Sequence, residues 1–394
     1  MAYQTGRNIL VTYKQEAEFG VRPANDAARV FRPNSGGMNL TKAPITSGEN
    51  RRDGMTTRGR HGSRSVAGSF AGDLSLGTFD PLIEAGFRGT FDVPLALTGL
   101  SLTVNAAART ITRAAGSWIT DGVRVGDVVR FSGFTTAANN GRNVRVVALT
   151  ATVMTVAEAL TNVGAAENAV SLARPKKLLQ GLTRRSFTVE ETELDIDGSE
   201  IFTGNRVGQL QLSLAQNGMA ILTTSFVGQD MAVLTGAASP YFANPVATTS
   251  IGMTAVEAVI RLGDEDVLDL TTLSLSINLN ASGQPVVGSN VTPDVFDNLA
   301  SVEASVTALR KDVSRVTQFL NEDQLSLHLL FTENEGEPRD FCSFFLGNLT
   351  LSSASKSELG ADGPRTQTLG LMVGIDERGG AFDPTMVKFQ TSAA

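Results

Sequence analysis

The sequence predicts a mainly β protein: an antiparallel β-sandwich or barrel with a short flanking α-helix, into which a second, small β-barrel or sandwich domain is inserted. Three observations point there. Apolar and polar residues alternate in run after run, the period-two signal of half-buried strands, as in Leu210, Leu212 and Leu214 or Leu273, Leu275, Ile277 and Leu279. Helical spacing shows in only two short stretches. The 394 residues are 42% hydrophobic and 19% charged, with 39 glycines and a single Trp, a balance that suits short strands and frequent turns.

The elements follow in order. Ile9 to Tyr13 reads as a strand, and a polar connector with Pro23 and Pro33 comes after it. Thr41 to Arg64 is polar and basic: Lys42, Arg51, Arg52, Arg58, Arg60 and Arg64 stand against Glu49 and Asp53. Such a segment buries no core of its own and is expected to be a mobile arm. Ser65 to Leu76 alternates, with Val66, Phe70, Leu74 and Leu76 on one face and Ser65, Ser69, Asp73 and Ser75 on the other. Thr78 to Phe87 predicts a short helix. Thr78 or Asp80 can cap it, Pro81 suits its first turn, Phe79, Leu82, Ile83 and Phe87 form an apolar stripe, and Gly86 or Gly89 can end it.

From Leu97 to Arg174 short β-type runs are separated by turn signals, among them Asn139-Asn140-Gly141, read as a tight turn between two strands. That length is enough for a small, marginally stable β domain. The expected division is therefore residues 1–96 (with the basic loop 41–64) and 175–394 as two parts of one domain, and 97–174 as an insertion. Beyond Leu178 the alternation returns at Phe187 and Val189, Leu210 to Leu214, Ala220 to Phe226, Leu273 to Leu279, Val302 to Ala308 and Leu369 to Ile375. Leu325, Leu329 and Leu330 predict a helix over 321–331. The order of strand, helix and strands loosely echoes the first half, with no fixed repeat period.

Chemistry is conspicuous by what is missing. His61 lies in the basic arm and His328 in an apolar run, so neither is placed as an oriented base. Cys342, flanked by Phe341, Phe344 and Phe345, reads as a core thiol and leaves no partner for a disulfide. No zinc-ligand spacing and no phosphate-binding glycine loop occurs. Asp195-Ile196-Asp197-Gly198 is similar to the opening of a calcium loop, but its glycine arrives too early. No catalytic residue, cofactor or metal is expected, and the chain reads as no enzyme. A net charge of −7 argues against a protein held on nucleic acid by phosphate contacts. The first ten residues carry no long apolar run and no stretch is long enough to span a membrane, so a protein made in the cytoplasm is expected.

One long segment carries a resemblance. Asn39-Leu40-Thr41-Lys42, Ile45, Ser47, Glu49 and Arg51 are followed by His61-Gly62, Arg64-Ser65-Val66, Gly68, Phe70, Leu74, Gly77, Phe79-Asp80, Leu82, Glu84-Ala85, Gly89 and Phe91. This series resembles the tail tube (major tail) proteins of bacteriophages with long non-contractile, siphovirus-type tails. The resemblance implies a structural virion protein, assembled in the bacterial host cytoplasm. Such a protein would form homo-hexameric rings that stack into a hollow tube, with viral DNA passing through without specific binding. Tape measure, tail tip or initiator, and tail terminator proteins are the partners it implies, and the inserted domain would project outward. The alternative is a decoration or adhesin-type module whose small β domain recognises a host surface or carbohydrate. The single Trp118 and few tyrosines weaken that case. The acidic run Glu190, Glu191, Glu193, Asp195 and Asp197 is opposite in sign to Lys42, Arg51, Arg52, Arg58, Arg60 and Arg64. The two sets are expected to meet between subunits or rings, since complementary patches orient docking and a non-closing heterologous contact makes a filament.

Overall fold

The computed structural model describes residues 3–333, 336, 338–360 and 363–393. Strands β1 (Ile9–Gln15) and β2 (Arg29–Phe31) precede a long hairpin of β3 (Ser35–Ile45) and β4 (Arg60–Asp73), then α1 (Asp80–Phe87). A six-stranded closed barrel follows: β5 (Leu95–Asn105), β6 (Thr110–Arg113), β7 (Val128–Ser132), β8 (Val144–Leu149), β9 (Val153–Val156) and β10 (Val163–Arg174), in the order β10-β5-β6-β9-β8-β7. The chain returns through β11 (Lys177–Leu179) to β12 (Phe187–Glu193), β13 (Gly198–Ala215), β14 (Ile221–Gly228) and β15 (Asp230–Thr235). The second half holds β16 (Val259–Leu262), β17 (Glu265–Asp266), β18 (Leu270–Asn278), the short pair β19 (Ser282–Gly283) and β20 (Val295–Phe296), and β21 (Ser301–Leu309). After α2 (Ser314–Leu320) come β22 (Leu325–Thr332), β23 (Phe341–Lys356), β24 (Thr366–Val373) and β25 (Lys388–Thr391).

The pairings repeat. In the first half β3 pairs β4, β4 pairs β14, β14 pairs β13, and β13 pairs β12, which pairs β1, which pairs β2. In the second half β18 pairs β21, β21 pairs β24, β24 pairs β23, and β23 pairs β22, which pairs β16, which pairs β17. β15 lies against the first part of β13 as β25 lies against the first part of β23. Even the irregularities match: β12–β13 is bulged between Phe187 and Val189 and β22–β23 between Leu325 and Leu327, while β13–β14 is bulged after Val207 and β23–β24 after Leu351. The faint echo in the sequence is thus a duplication of topology, from which the barrel, β11 and the short β19–β20 pair stand apart. The barrel sits between α1 and β12, where the second half passes directly from α2 to β22.

The halves join edge to edge through β13 and β18. One antiparallel sheet of eight strands results, β3–β4–β14–β13–β18–β21–β24–β23. One face of it packs on the main core, where Phe70, Leu210, Leu212, Leu222, Phe226, Leu275 and Leu371 meet the second layer of strands and α1. The barrel has a separate core that includes Trp118, Phe131, Val144 and Met154.

Several expectations need correction. Residues 325–332 form a strand, because β22 is covered on both faces: Leu327, Leu329 and Phe331 enter the main core, while Leu330 packs with Val128 of the barrel and Phe341. Continuous apolarity then imitates helical spacing. The helix in that region is α2, just upstream. The basic arm is structured at its base, since Thr41, Lys42, Pro44 and Ile45 pair with Ser65, Arg64, His61 and Arg60. Neither Thr78 nor Asp80 caps α1: the N-cap is Phe79 without a side-chain bond. The helix ends at Arg88 in the left-handed region, with Arg88 and Gly89 N–H returning to the Ala85 and Glu84 carbonyls. Asn139-Asn140-Gly141 is no two-residue turn. Asn139 side-chain atoms exchange bonds with Thr161, and those of Asn140 with Phe134, within a wider loop that includes a 3-10 turn at Ala137–Asn139.

Candidate assembly surfaces

The eight-stranded sheet presents an unusual outer face. Alternation places Ser69 and Ala71 of β4, Thr223 and Ser225 of β14, and Gln209, Gln211 and Ser213 of β13 away from the core. Ser274, Ser276, Ser305 and Thr307 continue it across β18 and β21, and Thr368 and Gly370 across β24. Among the described residues Glu303 is the charge within the middle of this face, and its surroundings form a broad open concavity. Apart from the exposed Met372 beside Glu303, the face is hydroxyl- and amide-lined, and it is almost uncharged.

Among the described residues the same sheet ends in two unpaired edges: β3 has β4 on one side only, and the last part of β23 has β24 on one side only. Asn39 and Thr41 on one edge, Ser353 and Ser355 on the other, are exposed, whereas Leu40 and Ala354 are half-covered against the main core. A regular edge with free N–H and C=O groups is a template for another strand. At one point it is already engaged: the Met38 N–H donates to the Glu191 carboxylate at 2.7 Å.

The basic residues divide between tied and free. Arg64 pairs with Asp230 of its own chain at 2.8 Å, and Arg51 pairs with Asp53 within the loop. Lys42, Arg52, Arg58 and Arg60 are exposed and form no ion pair among the described residues. The acidic residues lie on the β12–β13 hairpin and serve different ends. Glu190 is fully buried and accepts from the Ser199 hydroxyl and from the N–H groups of Tyr241 and Phe242. It is therefore a satisfied internal carboxylate rather than part of a surface. Asp195 at the hairpin turn ties down Thr5 and Asn8. Burial, with Glu200 and Glu193 nearby, lifts the Glu191 carboxyl to about 7 despite the Met38 bond. Glu193 and Asp197 remain available at the rim. The arm and this hairpin are not brought together within the chain.

A buried charge network fastens the barrel to the sheet layers. Lys388 on β25 donates to the Val125 carbonyl, to Asp127 and to Asp383, each at 2.8 Å. Lys177 joins Asp383 at 3.0 Å, and Arg174 reaches Asp92 at 2.8 Å. Burial opposes charge on Lys388, but Asp127 and Asp383 outweigh it and hold its pKa above the ordinary value. Against the same opposing burial, Lys388 and Lys177 bring Asp383 down to about 2. Gln390 adds two bonds to the backbone of Val128. Little in the sequence marks this joint, since its members are scattered from Asp92 to Gln390.

His328 lies in β22, not in a helix, and burial beside Arg145 and Lys388 keeps its pKa well below the ordinary histidine value. Cys342 is a buried thiol. Among the described residues no group of His, Cys, Asp and Glu could hold a metal ion, and no helix is long and apolar enough to cross a membrane. Compared with known families, residues 6–373 match the phage tail tube protein family. No curated protein matches the chain.

Proposed function

The chain belongs to the phage tail tube protein family and so is a structural, self-assembling protein of the virion tail, and from that premise we propose how it builds the tube. The eight-stranded sheet lines the lumen. Neighbouring sheets join through their open edges into one closed inner barrel, rings of six tube folds stack along the axis, and DNA slides past the Ser-, Thr- and Gln-lined face during ejection. The neutral face carries this reading. A channel that must release DNA cannot hold phosphates, and affinity for phosphate grows with each lysine or arginine in contact. The small barrel is attached to the second strand layer through Lys388 and Gln390, remote from the neutral face, so it projects outward. Tape measure, initiator and terminator proteins would meet the lumen and the two ends of the stack.

The basic loop crosses to a neighbouring subunit, and the rim acids Glu193 and Asp197 face the next ring. Replacing Arg51, Arg52 and Arg58 together by Ser should leave a monomer of unchanged stability that polymerises poorly, as read by sedimentation. Negative-stain electron microscopy of concentrated protein tests the whole reading: hollow tubes of uniform width are expected, and compact particles even with the tail initiator added would sink it. The rival reading, an adhesin, loses its one aromatic platform. Trp118 is fully buried, with its N–H donated to the Thr152 carbonyl.

A further inference from the structure

We infer that the joint between the two halves of one chain, β13 against β18, is repeated between chains as β23 of one copy against β3 of the next, so that each chain fills two places in its ring. This rests on the tube reading above and adds to it the identity, register and number of the contacts.

The matching bulges set the correspondence. Phe187 and Leu325 occupy equivalent places on β12 and β22, opposite Asn205 and Leu349. From there the second bulge lies equally far along both long strands, after Val207 and after Leu351. Leu210 therefore corresponds to Ala354, and Gln211 to Ser355. Following the pairs across β14 and β4, and across β24 and β21, Met38 corresponds to Leu275. Within the chain Leu210 faces Ile277, Gln211 faces Ser276 and Gln209 faces Asn278. Transferred to the open edges, Ala354 faces Leu40, Ser355 faces Asn39 and Ser353 faces Thr41. The chemistry agrees with this register. The half-covered Leu40 and Ala354 would close over each other on the core side, and the four polar residues would continue the neutral face. A slip of one residue would reverse both.

The arm follows the same logic. Its counterpart in the second half is the segment between β18 and β21, and that segment folds back across the internal joint onto the first half. There Asp294 bonds Arg206 at 2.7 Å and Arg184 at 3.0 Å, and the Asn290 carbonyl accepts from the Arg64 N–H. The place of Arg184 is taken in the second half by Glu322, next to Asp323, and neither forms an ion pair among the described residues. The place of Arg206 is taken by the neutral Thr350, so an acidic segment on two arginines inside the chain becomes a basic arm beside Glu322 and Asp323 between chains. The reversal of sign keeps each arm on its own seat.

A ring of six tube folds then closes with three chains and carries three outward barrels. The test is a cysteine pair. Within the chain the Leu279 N–H reaches the Gly208 carbonyl and the Gln216 N–H the Thr271 carbonyl, so Gln211 and Ser276 form a non-hydrogen-bonded pair. Such pairs stand about 4.5 Å apart, within disulfide reach. Tubes of Asn39→Cys/Ser355→Cys, mildly oxidised, should run on a non-reducing gel as monomer, dimer and trimer and nothing larger. The off-register Asn39→Cys/Ser353→Cys protein should cross-link far less. End-on images should show three peripheral lobes. A ladder reaching six, or six lobes, would overturn the two-places claim. Intact tubes without cross-links would overturn the edge pairing. Absence of tubes for the unmodified protein would instead remove the functional reading itself.

Discussion

The two halves of this chain make the same strand pairings with different residues, and the differences follow what covers each half. On the face turned from the main core β12 carries Glu190 and Thr192, and polar groups surround the Glu190 carboxylate. Its counterpart β22 is roofed by the barrel there and carries His328 and Leu330, while Leu329 and Phe331 enter the main core where β12 has Glu191 and Glu193. The barrel lies within the first half in sequence but leans on the second, through Val128 against Leu330 and Phe341, and Val125 against Phe345. The helices diverge likewise. α1 buries Leu82, Ile83, Ala85 and Phe87, whereas no residue of α2 is buried. Topology and bulge positions survive duplication because they decide which face of each strand meets the core. Residue identity answers only to the neighbour on that face.

The largest effect expected from breaking this asymmetry is at the barrel joint. Lys388→Ala removes the nearest cation to Asp127, which is wholly buried, and leaves it Lys177 at 3.6 Å and Arg174 at 3.9 Å. Breaking a buried pair costs about 3–5 kcal/mol, and the two remaining cations hold the loss to the lower end of that range. Denaturant unfolding followed by the fluorescence of Trp118, the lone tryptophan, should show the loss. A shift of less than about 1 kcal/mol would show that the network does not hold the barrel. Next comes the helix contrast. Leu82→Ala should cost about 2–5 kcal/mol, as a fully buried leucine does. Leu320→Ala on α2, where the side chain is 73% exposed, should stay within about 0.5 kcal/mol. Equal costs would mean that α2 is covered even in the monomer.

Much of this fold was legible. Alternation located β4, β13, β14, β18, β21 and β24, because each buries one face and leaves the other to water. It failed at β22 for the complementary reason, since two buried faces erase the period. The basic loop was visible as charge, but Glu190 read as surface because sequence does not show that Ser199 and the Tyr241 and Phe242 amides surround its carboxylate. The open edges left no mark in composition. Asn39, Thr41, Ser353 and Ser355 are ordinary polar strand residues, and only the pairing pattern shows that no strand among the described residues lies beside them.

The finest difference between the halves is a proton. Glu191 stands where β22 has the buried Leu329, and burial lifts its carboxyl to about 7, with the Met38 N–H pulling the other way and Glu200 and Glu193 adding to the rise. In the unfolded chain the group titrates near its ordinary 4.5. Between those values the folded protein holds a proton that the unfolded chain has released. Its contribution to stability is therefore present at low pH and is lost as pH rises toward and through about 7. Glu191→Gln keeps an oxygen for the Met38 N–H and cannot ionise. The variant should match the unmodified protein in melting temperature at pH 5 and exceed it slightly at pH 8. An equal difference at both pH values would show that Glu191 ionises freely in the fold. The same carboxylate, once ionised, accepts more strongly from the edge amide that β23 of a neighbour would take. Tube growth of the unmodified protein should accordingly be slower at pH 8 than at pH 6, and that dependence should weaken in Glu191→Gln.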